Sequence, residues 1–455
     1  MVSLGSNMRF RFSRWVLAAV AVGSVASAKA AECLATNSLS KPVWLSEASL
    51  GIKASYDNNI FLSGVDSKFL PSAYPVPAGS VAALKDVGSW VTAVSPRVGI
   101  NFASLLGSQK TFQTLSLTYA PDFVAYHDQG SENYSAHRWL TALTGKAESV
   151  SFCADNNFVF VDGGDLAPVY PGSLYSSFVT SSARERREQI QERANISVQL
   201  DREKWFLRPV ASLLYYDFMT MQLNPASFPG YQNYVDRLDV NGGADVGYKI
   251  TPNTAITLGY RCGEQYQQKS AYSPYSSSDD YQRVLLGLEG KPWQWLEVKF
   301  QGGPDFRSFA GSAPMNDRQP VNYFGEAAVT ATFSTKDTLA FKSKQWQWLS
   351  SLGKVPYYES LCELNYHRKL TEKLGWDLGA RLMSWDFTTG NLSACRRKDL
   401  QYSATTGLSY AYSEHLNFNL AYASDWGRND LAGIVNPQTR EFDHQLISLA
   451  AKWKF

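Results

Sequence analysis

A chain of 455 residues with 18% charged and 14% aromatic side chains is poor in charge beside soluble domains, where about 25% is usual. Its mean hydropathy of −0.26, with no run of about 18 apolar residues after Glu32, excludes a helical membrane protein. The 43 basic and 41 acidic residues leave a formal net charge of only +2, too little to point to nucleic acid as a partner.

The chain opens on Arg9, Arg11 and Arg14, followed by an apolar stretch from Trp15 to Ala28 and small residues at Ala26-Ser27-Ala28 and Ala28-Lys29-Ala30. That order reads as a secretory signal over residues 1–30, too short to span a bilayer. Its removal takes four basic residues and no acidic one, which keeps the mature chain near neutral. Glu32 before Cys33 does not fit a lipoprotein signal. Residues 31–46 read as a periplasmic lead-in, and 47–455 as one domain. The five cysteines, Cys33, Cys153, Cys262, Cys362 and Cys395, are widely spaced and form no CxxC pair, so spacing selects no disulfide. Cys262 and Cys362 fall at apolar positions, where a thiol serves as a small hydrophobe.

From Glu47 onward, alternating stretches are joined by short polar turns and longer polar loops in strict rotation. The short turns fall near Gly107-Ser108, Gly145-Lys146, Asp201-Arg202-Glu203, Thr251-Pro252-Asn253, Gly290-Lys291-Pro292, Thr335-Lys336-Asp337, Thr371-Glu372-Lys373 and Ser413-Glu414-His415. Gly, Pro, Asn, Asp, Ser and Thr mark them as reversals. The longer connections include Asn58–Ser89, Gly163–Arg186, Met219–Asn233, Lys269–Asp279, Arg307–Gln319, Thr388–Lys398 and Gly427–Arg440. The rhythm predicts an all-β, closed antiparallel transmembrane β-barrel of about 18 strands, with short periplasmic turns and long extracellular loops. Sixteen strands remain open, because the first two hairpins are the least regular.

Alternation assigns the two faces. In Tyr234–Ile250, Leu238, Val240, Ala244, Val246, Tyr248 and Ile250 share one face, and Arg237, Asp239, Asn241, Asp245 and Lys249 the other. Gln189–Leu200 and Gln401–Tyr412 repeat the pattern. A period of two places each set on one side of a sheet. The inward set predicts a pore lining of Arg193, Arg208, Arg237, Lys249, Arg261, Arg283, Lys299 and Arg381. Facing these are Asp239, Asp245, Glu289, Glu297, Glu326, Glu359, Glu363 and Asp377, so the two signs balance. A polar interior in a barrel this wide is an aqueous channel unless loops fold into it.

The last strand alternates Ile447, Leu449, Ala451, Trp453 and Phe455 against Ser448, Ala450, Lys452 and Lys454. An amphipathic strand ending in Phe resembles the C-terminal recognition strand of bacterial outer-membrane barrels. Ile447, Leu449, Trp453 and Phe455 are therefore candidates for engaging the barrel-assembly machinery. Aromatics at predicted strand ends (Trp205, Tyr248, Trp293, Phe333, Trp376, Tyr412, Phe418, Trp453) fit girdles at the level of the lipid headgroups.

No HExxH, CxxC, GxSxG or phosphate-cradling glycine motif appears. His127, His137, His367, His415 and His444 read as pore, loop or turn residues. Asp155-Asn156-Asn157 and Asp162-Gly163-Gly164-Asp165 are rich in oxygen but lack calcium-loop spacing. Both read as loop chemistry, and no catalytic residue, metal or cofactor is expected. Arg184-Glu185-Arg186-Arg187-Glu188 reads as a solvated loop leading into a strand.

The signal peptide, Tyr-rich hairpins such as Leu408-Ser409-Tyr410-Ala411-Tyr412 and the ending Ala450-Ala451-Lys452-Trp453-Lys454-Phe455 resemble the beta-barrel porin type 2 proteins of Gram-negative bacteria. The resemblance implies a place in the outer membrane, surrounded by its lipid, and a link to exopolysaccharide export. Residues and resemblance together predict a porin-like channel for small hydrophilic solutes or saccharides. The alternative is a non-conducting receptor, adhesin or structural barrel acting through its extracellular loops.

Overall fold

The computed structural model describes residues 42–60, 88–108, 110–163, 188–219, 236–268, 276–311, 320–349, 356–387, 396–432 and 442–455. The predicted signal, the Arg184–Arg187 run and the central parts of most long connections lie outside them. The strands are β1 (Leu45–Asp57), β2 (Ser89–Asn101), β3 (Phe112–Tyr119), β4 (Asp122–Tyr126), β5 (Tyr134–Ala147), β6 (Val150–Gly163) and β7 (Gln189–Asp201). They continue as β8 (Trp205–Phe218), β9 (Arg237–Thr251), β10 (Thr254–Gln267), β11 (Asp279–Trp293), β12 (Leu296–Phe309) and β13 (Val321–Thr332). The last are β14 (Asp337–Trp348), β15 (Tyr357–Lys369), β16 (Leu374–Phe387), β17 (Arg396–Ala411), β18 (Leu416–Ala432) and β19 (Phe442–Lys454).

β3 and β4 occupy one position in the wall. Both pair with β2 on one side and β5 on the other. Ala120-Pro121 separates them, and proline has no N–H to give to the ladder. The wall therefore has eighteen positions, each antiparallel to its neighbours. It closes where β1 pairs with β19, from Ser49↔Lys454 to Asp57↔Leu446. Both ends of the barrel fall on the short-turn side, the periplasmic side of such a fold.

Two inward ion-pair groups clasp the seam. Near the periplasmic end, Glu47 of β1 meets Lys452 of β19 and Arg97 of β2. Near the outer end, His444 of β19 lies 3.0 Å from both Asp57 of β1 and Asp425 of β18. The outward face is apolar over most of the circumference: Leu258, Leu286, Phe300, Leu449 and their neighbours are exposed where a water-soluble sheet would bury them. Trp293, Trp295 and Phe333 stack in a row at the periplasmic rim, with centroids about 6 Å apart. His415, Trp453 and Phe455 extend the ring near the seam.

Several expected boundaries move. β5 runs through Gly145-Lys146 and reverses at Glu148-Ser149, where Glu148 takes the left-handed conformation with φ 52°. β11 runs through Gly290-Lys291-Pro292 to Trp293, with the register slipping after Gly290. Asp279 and Arg307, expected in loops, are the first residue of β11 and a residue inside the outer end of β12, and Arg396–Lys398 and Gly427–Ala432 belong to β17 and β18. In each case strand pairing outweighs the local turn signal. The first inner connection carries a one-turn helix, α1 (Phe102–Leu105), whose Ser104 N–H is capped by Asn101.

Gly290 has φ 125°, and a Cβ there would lie 1.9 Å from the Asn253 carbonyl oxygen. Gly290→Ala is expected to cost about 1–3 kcal/mol, read as a lower urea midpoint for loss of the folded, heat-modifiable band. An unchanged midpoint would contradict this backbone conformation.

The candidate functional site is the lumen and its narrowed mouth

Every residue predicted to line a pore lies on the inward face. Asp245 of β9 sits between two guanidinium groups, Arg208 of β8 at 3.0 Å and Arg261 of β10 at 2.7 Å. Arg208 also grips Glu289 with two bonds of 2.7 and 2.8 Å. Arg283 pairs with Asp305 at 3.2 Å, and Lys249 with Asp201 at 3.1 Å near the inner turns. Glu297 pairs with Lys291 in an exposed contact at the rim, of a kind worth little. Asp239 accepts hydrogen bonds from Gln265 and Tyr281, and Glu326 from Gln301. On the opposite wall His367 meets Asp377 at 2.7 Å, and Arg381 lies 3.4 Å from Ser403 and 3.9 Å from Asp425. Glu363 stands between Lys342 and Arg381 in cross-strand register. Ile447, Leu449, Trp453 and Phe455 lie on the outward face of the closing strand.

The oxygen-rich Asp155-Asn156-Asn157 segment is strand, not loop. Asp155 points inward to Asn195, whereas Asn156 points outward to Glu192, so the two cannot converge on an ion. Among the described residues no group of three side chains is placed to hold a metal. His137, expected in a pore, loop or turn, is on the outward face. Tyr119 Oη lies 2.7 Å from its Nδ1, and Phe123, Trp139 and Phe160 surround the ring.

The mouth is the feature that alternation alone does not disclose. β14 last pairs with β13 at Gly325↔Gln345, but stays paired with β15 to Trp348↔Tyr357. Freed from β13, Trp346–Leu349 leans across the lumen toward β8–β12. Arg237 of β9 donates to the Leu349 carbonyl at 2.7 Å, and Gln265 of β10 to the Gln347 carbonyl at 3.2 Å. The Gln347 side chain accepts from Asn322. Trp348, Tyr357 and Trp385 form a buried aromatic cluster packed on Leu214 and Tyr216 of β8. The Arg237 guanidinium lies 4.8 Å from the Tyr216 ring centroid and 5.2 Å from that of Trp348, in cation–π contact with both.

A buried charge cluster anchors this bridge. Arg307, with a side chain fully removed from solvent, bonds Asp279 and Asp305 at 2.8 Å each and Gln265 at 2.9 Å. The Arg283 and Arg307 guanidinium carbons lie 4.0 and 5.1 Å from the Tyr281 ring centroid. Sequence reasoning missed Asp279, Asp305 and Arg307 because charge beside a loop reads as loop. The signal was present in the period-two spacing of Asp279, Tyr281 and Arg283, and of Asp305 and Arg307.

Beneath the bridge is a cavity of about 660 Å³ bounded by β6–β14. A closed wall, an apolar outward face and a charged lumen with an interior cavity define a transmembrane β-barrel of the Gram-negative outer membrane.

No family model matches the sequence, and no curated protein matches it. Among solved structures, OccAB2 of Acinetobacter baumannii is similar, with 12% identity and a TM-score of 0.42 over 90% of this chain and 98% of that one. OpdK of Pseudomonas aeruginosa, solved with vanillate, has 11% identity and a TM-score of 0.42 over 90% and 98%. The siderophore receptor PirA of Pseudomonas aeruginosa has 8% identity and a TM-score of 0.39 over 90% and 80%. Scores below 0.5 say nothing about what this chain carries, and the barrel's own geometry defines its class.

Arg237→Ala removes both the bond to Leu349 and the cation–π stack. It is expected to destabilise the barrel by about 1–3 kcal/mol and to raise single-channel conductance by freeing the bridge. Unchanged conductance in a folded variant would show that the bridge does not limit flow.

Proposed function

We propose that this barrel is a narrowed, selective channel for small hydrophilic solutes, saccharides among them, across the outer membrane. The observation that carries the reading is the charged, polar lumen holding a cavity of about 660 Å³ beneath a bridge of wall residues. An eighteen-strand wall would otherwise enclose a wide aqueous pore. The bridge divides that width, which favours single small molecules over polymers. Exopolysaccharide export, implied by the resemblance, would then require an auxiliary role or a displaced bridge. The inward-facing charged residues named above act in this reading as the pore lining. Ile447, Leu449, Trp453 and Phe455 act as the signal by which assembly machinery takes up the chain.

The bridge also favours a second reading, a barrel blocked at the mouth that works as a receptor through its outer connections. Planar-bilayer recording of the refolded chain separates the two. The channel reading expects small, discrete, stable conductance steps, and liposome swelling with pentoses and hexoses but not with oligosaccharides. A folded barrel giving no steps and no swelling would end the channel reading in favour of the receptor.

A further inference from the structure

Signs balance along the lumen as a whole, but hydrogen-bonding capacity in the cavity does not. Six basic and four acidic side chains line it. The acidic groups are engaged by the wall. Asp245 is held by Arg208 and Arg261, and Asp239 by Gln265, Tyr281 and Asn241. Glu326 accepts from Gln301, and Asp155 from Asn195.

The basic groups divide differently. Arg208, Arg261 and Arg283 are tied to carboxylates. Arg193 on β7, Lys299 on β12 and Lys344 on β14 line the same cavity and make no ion pair or hydrogen bond among the described residues. Lys299 and Lys344 stand opposite Glu289 and next to Glu326 in cross-strand register. Glu289 is turned instead to Arg208, and Glu326 accepts a bond from Gln301 with one oxygen. Glu326 beside it and Arg193 from across the cavity are both near enough for their charges to act on Lys344. The Lys344 ammonium is 4.3 Å from the Trp346 ring centroid, which steers it without neutralising it. Trp346, Trp348 and Phe324 supply an apolar side to the same cavity. A concave site of several hundred Å³ in which polar groups converge beside an apolar side can hold a small molecule.

We propose that this cavity is a binding site for small organic polyanions of the di- and tricarboxylate class, held between Arg193 on one wall and Lys299 and Lys344 on the other. The inference rests on the channel reading for its purpose, not for its chemistry. Three free cationic donors want more than one negative charge, and charge-assisted bonds to carboxylate are about twice as strong as neutral ones. A monovalent anion leaves two of the three unanswered, and a diamine would have to displace the amide and hydroxyl donors already bound to Asp155, Asp239 and Glu326.

Calorimetric titration of the full-length barrel in detergent, with citrate, succinate, acetate and putrescine in turn, tests the site directly. Citrate is expected to bind most tightly, acetate weakly and putrescine not at all. Lys299→Gln and Lys344→Gln should each weaken citrate by roughly tenfold or more, while Lys344→Arg restores most of it. If either variant fails to fold, Arg193→Gln on the other wall carries the same test. Citrate binding unchanged in folded variants, no heat from citrate, or tighter binding of putrescine would overturn the proposal. Bilayer recording on the same preparation keeps the two readings apart. Conduction without citrate binding sinks the site alone, and citrate binding without conduction sinks the channel alone.

Discussion

In hydrocarbon an unpaired backbone N–H or carbonyl costs several kcal/mol, and no water is present to relieve it. The rest of this structure follows from that constraint. A sheet with two free edges is not permitted, so β1 must find β19, and nine register pairs join them. Closure fixes the even number of wall positions, puts both ends of the barrel on one rim, and turns alternate side chains either to lipid or to a shared interior. The split of one wall strand into β3 and β4 around Pro121 shows how little irregularity is tolerated. The ladder is interrupted for two residues and then resumes on the same two neighbours.

Once closed, the interior has its own electrostatic problem. Ionised groups on facing strands are partly withdrawn from water, where pairing is stronger and isolation more costly than at a surface. The wall answers by pairing many of its carboxylates, with Asp245 between two arginines, Asp305 between Arg283 and Arg307, and Asp57 and Asp425 about His444, and by giving Asp155, Asp239 and Glu326 neutral donors. The same pairing builds the bridge at the mouth, because Arg307 and Arg237 each spend donors on the β14 backbone. Width, selectivity and wall stability thus come from one set of side chains. The cations left over are the ones that stand around open space.

Much of this was legible in the sequence. Period-two alternation in Tyr234–Ile250 assigned the faces of β9, and Arg237, Asp239 and Asp245 all turn inward. The rotation of short and long connections gave eighteen positions, although the two earliest hairpins were irregular. What could not be read was pairing across the lumen. Nothing local in Gln345–Leu349 announces that the strand leaves β13 while keeping β15, since that depends on Arg237, Gln265 and Arg307, about 40 to 110 residues away in the chain. For the same reason balanced charge did not disclose an unbalanced cavity. Composition counts Glu289 and Lys299 as partners, but geometry gives Glu289 to Arg208. Turn residues misled where they sit inside pairing strands, as at Gly145 and Gly290. Asp155-Asn156-Asn157 reads as loop chemistry because this strand carries polar groups on both faces, which hides the apolar alternation that marks the others.

Closure at the seam is the claim on which all else stands, and an engineered cross-link tests it most directly. Ser55 of β1 and Ser448 of β19 are direct cross-strand partners, and both are buried on the inward face. Cα atoms of such partners lie about 4.5–5.5 Å apart, within reach of a disulfide. In a background freed of native cysteines, Ser55→Cys with Ser448→Cys should oxidise within one chain, giving a circularised species of altered mobility after denaturation. The offset pair Ser55→Cys with Ala450→Cys should cross-link far less. Failure of the in-register pair, or preference for the offset one, in a folded barrel would contradict the eighteen-strand closure.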